Sequence, residues 1–123
     1  MLKKLLVVLG IVFILVGVLG FINNPILGIF HVNLLHNIVH LLSGGLALFF
    51  AGQSESAGKK FALAFGAVYA LVAVLGFVAP SLMSSLLMVD GPDNFLHIAL
   101  ALVFIVLGSV KLGGDLAQQA RAS

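Results

Sequence analysis

A chain of 123 residues is long enough for one domain and no more. Its residues are 62% hydrophobic and 8% charged, against about 25% charged in an average soluble domain, so it has too little polar surface to wrap an aqueous globule, and lipid is the expected solvent. The absence of cysteine excludes a disulfide framework, a thiolate metal site and c-type haem attachment; a net charge of +2, with no basic run beyond two Lys-Lys pairs, leaves no footprint for nucleic acid.

A hydrocarbon core ~30 Å thick is crossed by ~20 helical residues. Four stretches meet that need in turn. Residues 5–22 are an unbroken apolar run, 34–51 are apolar after a polar start, 61–79 are interrupted only by Tyr69, and 95–112 carry His97 near their start and Lys111 near their end. The expected fold is an all-α membrane protein, one four-helix domain over 1–123. Its six basic residues, Lys3, Lys4, Lys59, Lys60, Lys111 and Arg121, all fall on one side of a four-span arrangement. The positive-inside bias then predicts that both termini are cytoplasmic. Met1-Leu2-Lys3-Lys4 before an apolar run also fits the front of a signal peptide, but the run exceeds a usual h-region and no Ala-x-Ala site follows. The first span is therefore expected to be retained. Between the spans, 52–58 reads as a polar inner loop and 81–88 as a short helix lying on the outer surface. From 113 to 123 the chain reads as a short polar tail, partly disordered.

The two halves of the chain match. Lys3-Lys4 aligns with Lys59-Lys60, Gly10 with Gly66, Gly17 with Ala73, and Gly20-Phe21 with Gly76-Phe77 at one constant offset. One residue later in offset, Val32-Asn33 matches Val89-Asp90, His36-Asn37 matches Asp93-Asn94, His40 matches His97, Gly44 matches Ala101 and Ala51 matches Gly108. Apolar helices resemble one another by chance; rare polar and small residues seldom align so. The pattern predicts two tandem helical hairpins, 1–56 and 57–115, inserted the same way up and related by an axis along the membrane normal. Gly10, Gly17, Gly66 and Ala73 share helix faces, as do Gly44, Ala47 and Ala51, with Ala101 and Gly108 on the fourth span. Such faces let helix backbones approach closely in lipid, or make room for a flat ligand.

Spans two and four open with related polar strings, Asn33-Leu-Leu-His36-Asn37-Ile-Val-His40 and Asp90-Gly-Pro-Asp93-Asn94-Phe-Leu-His97. Asn33 and Asp90 are expected N-caps. Pro92 is tolerated in the first turn, and Asp93 suits the positive end of the helix. On a helix, 36, 37, 40, 44, 47 and 51 form one stripe, opposite Leu35, Ile38, Leu42, Leu46 and Phe49. The polar and small stripe is expected to face the bundle. His40 and His97 then sit at equal depth, ~10 Å below the helix start at ~1.5 Å per residue, where a polar group in lipid is by default a functional hypothesis.

Three readings of this cluster are open. His40 and His97, with Asn37 and Asn94, could hydrogen-bond one another and the outer loops, pinning those loops to the bundle. His36, His40, Asp93 and His97 could hold zinc, copper or iron, since each pair four residues apart shares a helix face. His40 and His97 could be axial ligands of a b-type haem. No cofactor is the leading expectation, with a metal ion or haem as alternatives. Elsewhere, His31 reads as an interfacial residue. The Tyr69 hydroxyl needs a partner, either Ser43 at similar depth or a group within its own span.

Val32-Asn33-Leu-Leu-His36-Asn37-Ile-Val-His40-Leu41-Leu42 and Asp93-Asn94-Phe-Leu-His97 resemble the two signature segments of a bacterial family of small four-helix membrane proteins of unknown function. The resemblance spans nearly the whole chain; after His97 this sequence departs from it in having no glycine until Gly108. It implies a bacterial membrane location and no assigned activity. The expected function is a non-enzymatic structural or accessory membrane protein of the bacterial inner membrane. Its expected partners are the lipid bilayer and either further copies of itself or a larger membrane complex. The alternative is a metal- or haem-binding module. Catalysis is disfavoured, because the spans contain no nucleophile–base arrangement and no carboxylate pair. An ion-coupled transporter would want broken helices or midplane charges, and the sequence suggests neither.

Overall fold

A computed structural model describes residues 1–109 and 121. Lys111, the end of the fourth span and the tail from Gly113, Arg121 excepted, lie outside the described residues. Among the described residues five helices follow in order: α1 (Leu2–Ile22), α2 (Leu34–Ala51), α3 (Glu55–Val78), α4 (Pro80–Leu87) and α5 (Gly91–Ser109). Four of them, all but α4, are long and apolar enough to cross a membrane. Their outward faces carry large apolar side chains, among them Val8, Ile11, Leu15, Leu42, Leu71 and Leu102. Such faces suit acyl chains and not water.

Several boundaries differ from those read off hydropathy. Helix α1 begins at Leu2 and takes in both lysines, since a helix need not stop where the hydrocarbon does. The loop between α2 and α3 is much shorter than 52–58. The Ser54 hydroxyl accepts the Ala57 N–H at 3.2 Å, a side-chain cap that satisfies a free donor of the first turn, and α3 therefore begins at Glu55. After α3, Pro80 starts α4 at a position where its missing N–H does no harm. The helix ends on Met88, which adopts a left-handed φ of 54°, a common way to stop a helix.

Helix α1 packs along α2, and α3 along α5; the two pairs meet mainly through α1, α2 and α3. In α1 nearly every residue is apolar, so polarity cannot select an inner face. Size does: Gly10, Gly17 and Gly20 are buried with Leu2, Leu6 and Phe13. The helices touch through these small residues. A Cβ on Gly10 would lie 3.0 Å from the Gly44 carbonyl oxygen, and one on Gly66 3.2 Å from that of Ala101. On Gly108 it would lie 2.9 Å from the Lys59 carbonyl. Of the two roles open to these residues, close helix approach is the one their contacts describe.

The core between the pairs is aromatic. Phe104 is 0% exposed and stacks on Tyr69 with ring centroids 6.1 Å apart. Phe13 stacks on Tyr69 at 5.8 Å and on Phe104 at 6.2 Å. These offset arrangements suit the quadrupoles of the rings. They fill the bundle axis just inside the polar cluster.

Candidate functional site

Asn33 caps α2 as the sequence suggests: its side-chain oxygen accepts the His36 N–H at 2.8 Å. Asp90 does not take the matching role with its side chain. Instead the Asp93 carboxylate accepts the Asp90 N–H at 3.1 Å, the reciprocal half of a capping box, while Asp90 Oδ2 turns to His31 Nδ1 at 3.3 Å. His31 thus links the first outer loop to the start of α5.

That outer loop is more ordered than its composition implies. The Asn24 side chain imitates a strand, donating to the Val32 carbonyl at 2.7 Å and accepting the Val32 N–H at 3.1 Å. Ile26 and Phe30 pair beside it through an isolated antiparallel bridge. Hydropathy and helical spacing give Asn24 no role, although Asn23-Asn24-Pro25 is turn chemistry.

The next layer joins the hairpins. The last carbonyls of α4 lack helical partners, as at any helix C-terminus. Two are taken up by α2: Asn33 Nδ2 donates to the Leu86 carbonyl at 2.9 Å and His36 Nδ1 to that of Leu87 at 2.8 Å. A carbonyl only accepts, so His36 carries its proton on Nδ1, and in the neutral ring Nε2 is left as an acceptor. Within the second hairpin, Asn94 Nδ2 donates to the Gly76 carbonyl at 3.2 Å in the last turn of α3. Gly20 and Gly76 give the two asparagines room: a Cβ on either would coincide with the carboxamide of Asn37 or Asn94 respectively. Deeper in, the Tyr69 hydroxyl donates to Ser43 Oγ at 3.3 Å, so its partner is across the bundle and not within α3.

The buried face of α2 holds His36, Asn37, His40, Ser43, Gly44, Ala47 and Ala51, and that of α5 holds Asp93, Asn94, His97, Ala101, Phe104 and Gly108. The imidazoles gather around His36, whose ring centroid lies 4.4 Å from that of His40 and 6.3 Å from that of His97. Aromatic rings support the other two, Phe13 beside His40 at 6.0 Å and Tyr69 beside His97 at 5.7 Å. His40 and His97 are only 7% and 3% exposed. Among the described residues their Nδ1 atoms have no hydrogen-bond partner, and neither do Asn37 Oδ1 and Asn94 Oδ1. Each such buried atom costs about 1–3 kcal/mol.

This geometry bears on all three readings. Loop pinning is carried by Asn33, His36 and His31, not by His40 and His97. The expected set of His36, His40, Asp93 and His97 is not assembled as a metal centre: among the described residues, no three His, Asp or Glu side chains are grouped to hold an ion, and an Asp93 oxygen already serves the Asp90 N–H. The space that a haem on His40 and His97 would need is bordered by the stacked rings of Phe13, Tyr69 and Phe104. The cavity beside the imidazoles is about 180 Å³, less than the ~300 Å³ at the small end of drug-sized pockets. That cavity lies mainly between α2 and α3 and is lined by His36, His40, Ser43, Tyr69 and His97 on its polar side, with Leu42, Leu46, Phe65 and Val68 among its apolar walls.

No curated protein and no solved structure matches this chain. The profile of a family described as a domain of unknown function, DUF4383, matches residues 3–110. Leu2 apart, that stretch takes in the four described helices long and apolar enough to cross a membrane, together with the polar layer at the starts of α2 and α5, and the chain belongs to that family.

Proposed function

We propose that this protein is a non-enzymatic accessory subunit of the bacterial inner membrane, built from two copies of one helical hairpin with both termini cytoplasmic. It would act as a homo-oligomer or within a larger membrane complex. One observation carries the reading: four polar side chains at the α2 and α5 starts are engaged with the protein's own backbone. Asn33 and His36 close the end of α4, Asn94 closes the end of α3, and Asp93 caps α5. Side chains so occupied serve as scaffolding and are not free to act as nucleophile or base.

Matched contacts support the duplication. Gly20 meets Asn37 as Gly76 meets Asn94, and Gly10 meets the Gly44 carbonyl as Gly66 meets that of Ala101. Phe13 flanks His40 as Tyr69, its counterpart in the alignment, flanks His97. The orientation rests on the basic residues, and the cysteine-free sequence makes it simple to test. Ile29→Cys in the first outer loop should react on intact cells with a membrane-impermeant thiol reagent, and Gln53→Cys should react only after lysis. The opposite pattern would invert the topology. For the accessory role, protein extracted in mild detergent should run above its monomer mass, with copies of itself or a fixed set of co-purifying subunits. A monodisperse monomer with no companions would end that reading.

A further inference from the structure

The cavity beside the imidazoles combines features that scaffolding alone does not explain. Its walls are largely apolar, yet three imidazoles, a serine and a tyrosine border it. Two of those imidazoles keep a ring nitrogen without a partner among the described residues. Its rim faces outward: Leu42 is 62% and Val68 52% exposed, both on helix faces turned away from the bundle. On a membrane-spanning pair such as α2 and α3, those faces meet acyl chains. A ligand would therefore arrive through lipid, and no aqueous route is required.

Size and chemistry narrow the ligand. A cavity of ~150 Å³ takes one benzene ring, and this one is about 180 Å³, room for a single six-membered ring with a small substituent. A neutral imidazole offers one donor and one acceptor, so the complementary group is a hydroxyl, which both gives and receives. The apolar rim suits an alkyl tail left in the bilayer. We propose that the cavity between α2 and α3 binds a lipid-borne single-ring phenol or hydroquinone, its hydroxyl held among His36, His40 and His97 and its tail passing out between Leu42 and Val68. The site shares His36 with the backbone contacts that support the accessory role, but it stands on the cavity and on His40 and His97, which make none of those contacts, so either can fail without the other.

The test uses detergent-purified full-length protein titrated calorimetrically with a decyl-substituted hydroquinone and with decylbenzene, which has the same ring and tail and no hydroxyl. Saturable one-to-one binding of the hydroquinone is expected, with decylbenzene at least about tenfold weaker, the equivalent of one hydrogen bond. His40→Phe should weaken the hydroquinone by about tenfold or more and bring the two ligands together. Because His40 is buried and its replacement can disturb folding, Leu42→Trp provides the second arm. This residue lies at the rim on an outward face, so the fold should survive while the mouth closes and both ligands lose binding. Equal affinity for the two ligands, no saturation with the hydroquinone, or unchanged binding in Leu42→Trp would each overturn the proposal.

Discussion

The α1–α2 hairpin and the α3–α5 hairpin share the contacts that join the two helices of each pair and differ in the chemistry at the starts of α2 and α5. In both, a glycine near the end of the first helix receives an asparagine from the second, and small residues bring the backbones together. They part company where one carries His36 and the other Asp93. His36 reaches outside its own hairpin to the end of α4, whereas Asp93 stays at home and caps its own helix. They also differ in the core, where Ala47 occupies the position that corresponds to Phe104. If a hairpin was copied, the shared contacts are what any copy needs to fold, and the differences fasten one copy to the other.

That comparison can be broken experimentally, and the core asymmetry should give the largest effect. Phe104→Ala removes a ring with no exposed surface and should lower unfolding stability in detergent by ~3–5 kcal/mol; a loss under about 1 kcal/mol would mean that the aromatic stack does not hold the pairs together. Gly20→Ala and Gly76→Ala sharpen the shared part. Each overpacks an asparagine seat and should cost ~1–3 kcal/mol, and the two melting shifts should agree closely. One silent and one severe substitution would show that the seats are not equivalent. His36→Ala isolates the fastening. It strands the Leu87 carbonyl and should cost about 1–3 kcal/mol, and hydrogen exchange should speed up in α4 while α1 keeps its protection. Uniform acceleration along the chain would contradict a local role for His36. The smallest effect belongs to His31→Ala, whose half-exposed pairing with Asp90 is worth about 0–1 kcal/mol, detectable as a slight and salt-sensitive fall in the melting temperature.

Much of the site is legible in the amino-acid sequence. Helical spacing puts His36, Asn37, His40, Gly44, Ala47 and Ala51 on one stripe, and those residues belong to the buried face of α2. Capping chemistry identifies Asn33, and depth along the spans offers Ser43 as one of two candidate partners for Tyr69, the one its hydroxyl meets. The failures share a cause. Asp90 reads as a side-chain cap only if His31 is ignored, and His31 lies 59 residues away. The metal reading groups His36, His40 and His97, whose rings lie near one another in the bundle, but helical spacing says nothing about what else fills the space. Phe13 and Phe104 look like ordinary apolar residues of a lipid-facing helix, because hydropathy does not distinguish a phenylalanine pointing inward from one pointing outward.

Composition and periodicity are properties of the chain read locally. They are enough to establish lipid as the solvent, four helices able to cross it and the stripe each presents inward, since every backbone group in hydrocarbon must be satisfied within its own helix or a closed barrel. Which carbonyl His36 serves, which aromatic rings close the axis and whether a cavity remains beside His40 and His97 depend on side chains distant in sequence meeting in space. Those outcomes follow from the packing of α4 against the start of α2 and of Phe104 against Tyr69. No rule of spacing within one helix encodes the shape of another.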